Sequence, residues 1–197
     1  MEIEKFGVLQ WKELKKTYDM VNDDDLLCQL AEESSELGFA AMNRFFDIHS
    51  PRKERKGELL RKDIMEEFAD VNLMMRMAFA RFFTVIEKFG CELTADSMNF
   101  SDDLSEDEIL QILQHQCYCL SKGAMKLRRA KGVTNPTKTT EEEAKKMILG
   151  SWSFILNCRK SLFYRDTKAW DFMQRTEAKK IERWHSRLQG SDVNVQE

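Results

Sequence analysis

Two short acidic runs hold the side chains best placed for chemistry: Glu32, Glu33 and Glu36 in one, Glu67 and Asp70 in the other. At helical period Leu26, Leu30, Leu37 and Ala41 form an apolar stripe, and Glu33 lies on it between Leu30 and Leu37. Ile64, Val71 and Met74 make a second stripe, with Glu67 between Ile64 and Val71 at the same two spacings. Glu36 follows Glu33 by three residues and Asp70 follows Glu67 by three, so each helix presents two carboxylates one above the other. Anions aimed at a helix–helix seam repel one another and lose hydration. They stay ionised only beside a counter-charge, and no Lys or Arg interrupts either run at the matching spacing. A divalent cation answers that need. Carboxylate oxygens without nitrogen or sulfur suit a hard ion, Mg²⁺ or Mn²⁺. A di-iron bundle would call for Glu-x-x-His on two helices, and neither acidic run contains a histidine.

Positioning these groups requires long helices, and the chain favours them. Its 197 residues include only 8 Gly and 2 Pro, which leaves few tight turns. Hydrophobic residues at 42% and charged residues at 33% fit a folded globular chain large enough for a substantial core. A first amphipathic helix is expected over about residues 4–18, with Phe6, Leu9, Trp11 and Leu14 on one face. The second starts at the capping run Asp23-Asp24-Asp25 and reaches about Phe46; a basic loop, HSPRKERKG, follows. The third is expected from about Glu58 to Lys88, ending near Gly90, with residues 91–104 as a linker. Ser105-Glu106-Asp107-Glu108 reads as a capping box for a fourth helix to about Arg129. A second basic loop covers residues 131–139. Thr140-Glu141-Glu142-Glu143 caps a fifth helix to about Tyr164, a sixth spans about Thr167–Leu188, and GSDVNVQE reads as a frayed end. The expected class is all-α, a single domain over residues 1–197. It divides into a metal-binding hairpin at 23–90, a second hairpin at 105–165 and a C-terminal helix at 166–190.

A net charge of −3 gives no sign of a nucleic-acid binder. No apolar run approaches the length of a membrane span, and residues 1–5 lack the form of a signal peptide, so a cytoplasmic location is expected. The five cysteines, Cys28, Cys91, Cys117, Cys119 and Cys158, have no framework spacing and fit a reducing compartment. His115 and Cys119 lie four apart, but nothing nearby supplies further zinc ligands, so buried thiols are the simpler reading.

Glu32-Glu33-Ser34-Ser35-Glu36 followed by Glu67-Phe68-Ala69-Asp70 resembles the EExxE…ExxD signature of the all-α nucleoside triphosphate pyrophosphohydrolases, which include the MazG-like enzymes and the dimeric dUTPases. The interval of 30 residues between Glu36 and Glu67 is slightly longer than is usual in that family. The resemblance implies cleavage of a (deoxy)nucleoside triphosphate to the monophosphate and pyrophosphate, with Mg²⁺ as the cofactor and Mn²⁺ as a substitute. Glu33, Glu36, Glu67 and Asp70 would be the metal ligands, and Glu32 or Glu33 would orient or deprotonate the attacking water. Arg44 and Lys126 are the basic side chains expected to meet the phosphates. The resemblance also admits a homodimer. The alternative from another class is a non-catalytic helical module that binds a nucleotide or a protein.

A shift of 83 residues superposes the two hairpins without a gap, with identities that include Leu37 on Leu120, Ala41 on Ala124, Met42 on Met125, Leu73 on Leu156 and Arg76 on Arg159. Identities are few: nine across the 55 positions from Asp25 to Phe79. On the same shift Glu32, Glu33 and Glu36 meet His115, Gln116 and Cys119, while Glu67 and Asp70 meet Gly150 and Ser153. The carboxylates are absent from the second copy. That is the form expected of one hairpin that binds metal and one that supplies packing.

Overall fold

The computed structural model of the protein describes residues 18–51, 56–97, 104–132 and 138–188. The helix expected over 4–18, most of the first basic loop, the centre of the second and the C-terminal end fall largely or wholly outside the described residues. Among the described residues the protein is an all-α bundle of six helices: α1 (Asp23–Ile48), α2 (Gly57–Phe82), α3 (Val85–Ser97), α4 (Glu106–Lys131), α5 (Glu141–Leu162) and α6 (Thr167–Leu188). None of them is long and apolar enough to cross a membrane.

Every helix but α2 starts where a side chain takes a free backbone N–H group of the first turn. Ser105 and Thr140 accept from the N–H of Glu108 and Glu143, whose carboxylates return to the cap backbone, so both expected capping boxes form. At α1 the cap is Asn22, whose side chain accepts from Asp25 N at 2.8 Å. Asp23, Asp24 and Asp25 instead fill the first turn, where they favour the helix dipole.

One expected helix is two. The chain leaves α2 at Phe82, passes through extended Phe83 (φ −123°, ψ 149°) and restarts at Val85. Thr84 and Glu87 explain the break. The Glu87 carboxylate accepts from Thr84 N at 2.6 Å, and Glu87 N donates to Thr84 Oγ1 at 3.2 Å, which makes a capping box. α3 then runs through Gly90 to Ser97, over much of the stretch expected to be a linker. Gly90 is an interior helical residue and stops nothing.

α1 and α4 run antiparallel through the centre. Their ends are pinned by Asp24 with Arg128 and by Glu106 with Arg44, and between these Ser35 Oγ meets Ser121 Oγ at 3.3 Å. α2 flanks α1 and α5 flanks α4; α6 lies along α2, and α3 covers α5. Leu26, Leu30, Leu37, Ile64, Leu113, Leu120 and Ile148 are all 2% exposed or less and form the shared core. Adding 83 to both bounds of α1 gives both bounds of α4, so the two hairpins share the interval seen in the sequence.

The central pair approach closely. A Cβ placed on Gly38 would stand 3.2 Å from Cys117 Cβ, an atom fixed to its own backbone. Gly38→Val is therefore expected to destabilise the fold by roughly 1–3 kcal/mol through overpacking, read as a lowered midpoint in urea. An unchanged midpoint would mean that α1 and α4 can separate freely.

Candidate functional site

α1 and α2 are antiparallel, so the middles of the two helices face each other and bring their acidic runs together. Glu33 from α1 and Glu67 and Asp70 from α2 each place a carboxylate oxygen within 4.8 Å of the others. The local folding follows from the stripes. Leu30 and Leu37 are fully buried on either side of Glu33, and Ile64 and Val71 are buried on either side of Glu67, so the core holds both carboxylates at the seam. Asp70 is buried at 6% exposure, while Glu33 and Glu67 are half-buried.

The oxygens of this group are unevenly satisfied. Gln29 Nε2 donates to Glu33 Oε1 at 2.8 Å, one turn back on the same helix. Asp70 is in direct contact with the Lys180 ammonium, delivered by α6. Glu67 Oε2 is buried and has no hydrogen-bond partner among the described residues. Such an oxygen is costly to leave bare, and a cation held among the three carboxylates would satisfy it.

The charges respond accordingly. Burial, with repulsion from Glu36, Glu33 and Glu66, pushes the Glu67 carboxyl up to about 7, against the pull of Lys180. Glu33 is also raised, first by burial and then by Glu36 and Glu32, with Gln29 and Lys180 opposing. Burial lowers the Lys180 ammonium, while Glu67 and Glu33 pull the other way.

The other expected site residues divide. Glu36 is exposed at the edge of the cluster, close enough to repel both Glu33 and Glu67. Glu32 is exposed on the solvent side of α1. Arg44 is not brought to the carboxylates. It lies eleven residues beyond Glu33, about 16 Å along the helix axis, with its Nε 2.9 Å from Glu106 and its Nη1 3.4 Å from Asp47. Lys126 is half-buried on α4 and acts on Glu143 at the start of α5. The cation in contact with the cluster is Lys180, from α6, which no sequence motif links to the carboxylates. A signal for it existed. Glu177 lies on the α6 stripe between buried Met173 and Ile181, as Glu33 does on α1, and Lys180 follows it by three.

The chain also contains one Glu-x-x-His, from Glu182 to His185 on α6. A di-iron centre needs that spacing on two helices, and Glu182 is exposed. Cys119 Sγ and His115 Nε2 stand 3.6 Å apart, and the carboxylate trio is the one metal-type group of three or more among the described residues. Where the 83-residue shift places Asp70, the second hairpin has Ser153. Its Oγ donates to Leu149 O at 3.0 Å and contacts Cys91, a packed seam in place of a charged one.

The raised Glu67 carboxyl gives a pH test. Its folded-state value of about 7 lies above the ordinary 4.5, so folding favours the protonated form. The resulting stability is fully present below about pH 4.5 and is lost as pH rises through about 7. A cation needs the ionised form and must expel that proton. Mg²⁺ affinity measured by calorimetry is therefore expected to rise between about pH 6 and about pH 8, with proton release that scales with buffer ionisation enthalpy. An affinity flat over that range would contradict Glu67 as a ligand.

No family profile, curated protein or solved structure matches the chain.

Proposed function

We propose that the protein is a Mg²⁺-dependent nucleoside triphosphate pyrophosphohydrolase that releases the nucleoside monophosphate and pyrophosphate. One observation carries the proposal. Glu33, Glu67 and Asp70 converge from two antiparallel helices, and one buried oxygen, Glu67 Oε2, has no hydrogen-bond partner among the described residues. The order of the acidic residues, Glu32-Glu33-x-x-Glu36 and then Glu67-x-x-Asp70, supplies the reaction class by resemblance to the all-α pyrophosphohydrolases.

Glu33, Glu67 and Asp70 would hold the metal from the helix seam, with Glu36 completing the set from the solvent edge. The all-oxygen donor set suits Mg²⁺ or Mn²⁺. When bound, such an ion neutralises phosphate charge and lowers the pKa of a coordinated water. The chain's own part is orientation and proton handling. Glu33, fixed by Gln29, is better placed than the solvent-facing Glu32 to orient the attacking water and accept its proton. Lys180, once parted from Asp70, is the near cation that can offset charge on the phosphate oxygens.

The contact between Lys180 and Asp70 also favours a second reading, in which Lys180 neutralises the carboxylates in a non-catalytic binding module. The two separate on metal. In the first reading Mg²⁺ raises the melting temperature by mass action, and EDTA stops turnover without unfolding the chain. In the second, Mg²⁺ changes neither melting nor activity.

A further inference from the structure

On the far side of α2 lies a cavity of about 650 Å³, bounded by α2, α3, α5 and the start of α6. Its volume is within the range of small-molecule sites, roughly 300–1,000 Å³. Arg76, which lines it, follows Glu67 by nine residues, two and a half helical turns, and so projects opposite to the carboxylate cluster. The cavity is a separate place in the fold.

Its chemistry is divided. Met75, Phe79, Trp152 and Leu156 give it an apolar floor. Cations crowd its rim, and two of them are already engaged: Arg76 contacts Glu177, and Lys88 is 3.9 Å from Glu92. Arg159 and Lys160 are not. Arg159 Nε is buried with no hydrogen-bond partner among the described residues, and its guanidinium lies over the Trp170 ring, 4.9 Å from the centroid. Neither Arg159 nor Lys160 has an ion pair among the described residues. Burial brings Arg159 down to about 10, opposed by Glu177, which leaves the guanidinium charged at neutral pH. A buried, charged donor with no acceptor is expensive to keep.

We propose that this cavity binds a phosphorylated ring compound of mononucleotide size, with its ring over the apolar floor and its phosphate held by Arg159 and Lys160. Binding needs no metal and does not depend on the pyrophosphohydrolase reading.

The test uses the full chain in EDTA, with nucleoside monophosphates and inorganic phosphate as probes and tryptophan fluorescence as the readout. Trp152 and Trp170 line the cavity, so saturable quenching by at least one nucleotide is expected, with inorganic phosphate binding more weakly. Arg159→Gln should lower that affinity by roughly tenfold or more, and Lys160→Gln should lower it less. Glu67→Gln should leave it unchanged. Lys160 is exposed, so its variant decides the matter if Arg159→Gln fails to fold. Absence of saturable binding would overturn the proposal, as would binding that both cationic variants retain. Binding lost in Glu67→Gln but kept in Arg159→Gln would place the ligand at the carboxylates and equally overturn it. Loss of triphosphate hydrolysis alone bears on the other site.

Discussion

Glu67→Gln is expected to abolish turnover and, at the same time, to raise the melting temperature of the metal-free protein. Glutamine keeps the shape and helix propensity of glutamate but removes the charge that would hold a cation. Loss of a direct ligand should lower the rate by roughly a hundredfold or more, since even the groups that orient metal ligands are worth about 10–100-fold. In the absence of metal the sign reverses. Above about pH 7 the Glu67 carboxylate is ionised beside Glu33 and Glu36, and one of its oxygens is buried without a donor among the described residues. Neutralising it relieves that repulsion. Glu33→Gln should behave alike, with a smaller gain because Gln29 already satisfies one Glu33 oxygen. Gln116→Ala, the position that the 83-residue shift places on Glu33, should leave turnover nearly untouched. Melts in EDTA and initial rates in Mg²⁺ measure both halves. Variants that are less stable without metal yet nearly as fast would make these carboxylates structural.

Lys180→Met is expected to have the largest effect on stability. Its ammonium contacts Asp70, and the two side chains are 23% and 9% exposed. Breaking a buried pair by removing one partner costs about 3–5 kcal/mol, because the charge left behind loses its compensation. The partial exposure of Lys180 argues for the low end, about 3 kcal/mol, or roughly 6–12 °C in a chain of this size. Saturating Mg²⁺ should recover much of the loss, as a cation replaces the ammonium beside Asp70. The double variant Asp70→Asn, Lys180→Met should be close to the parent without metal, since both charges leave together. If Lys180→Met melts with the parent in EDTA, the contact contributes little and the cluster is compensated by other means.

Sequence periodicity placed Glu33 and Glu67 because helical spacing reports what a side chain shares a face with. Leu30 and Leu37 are buried, so the glutamate between them had to be at the seam. The same spacing says nothing about which distant helix covers the seam, and so it does not reveal Lys180. Its approach depends on α6 lying along α2, fixed also by Arg61 with Asp166 at 2.9 Å and by Asn72 with Glu177 at 3.0 Å. Charge alone points to Arg44 and Lys126. Charge does not specify a partner, and Arg44 is held by Glu106 of α4. The apolar pattern continues across the break at Phe83 and hides it, although Thr84 and Glu87 carry a capping-box signal. The cavity beside Arg159 is assembled from four helices, and no stretch of one helix could have revealed it.

The measurement that bears most directly on the proposed chemistry is product analysis by chromatography. A panel of canonical and modified nucleoside triphosphates would be incubated with the protein in Mg²⁺, in EDTA and with Glu67→Gln. The predicted result is that at least one triphosphate yields its monophosphate and pyrophosphate in equal amounts with Mg²⁺, and that neither EDTA nor the variant gives product. Absence of turnover across the panel, or hydrolysis that persists in excess chelator and in Glu67→Gln, would contradict a pyrophosphohydrolase centred on Glu33, Glu67 and Asp70.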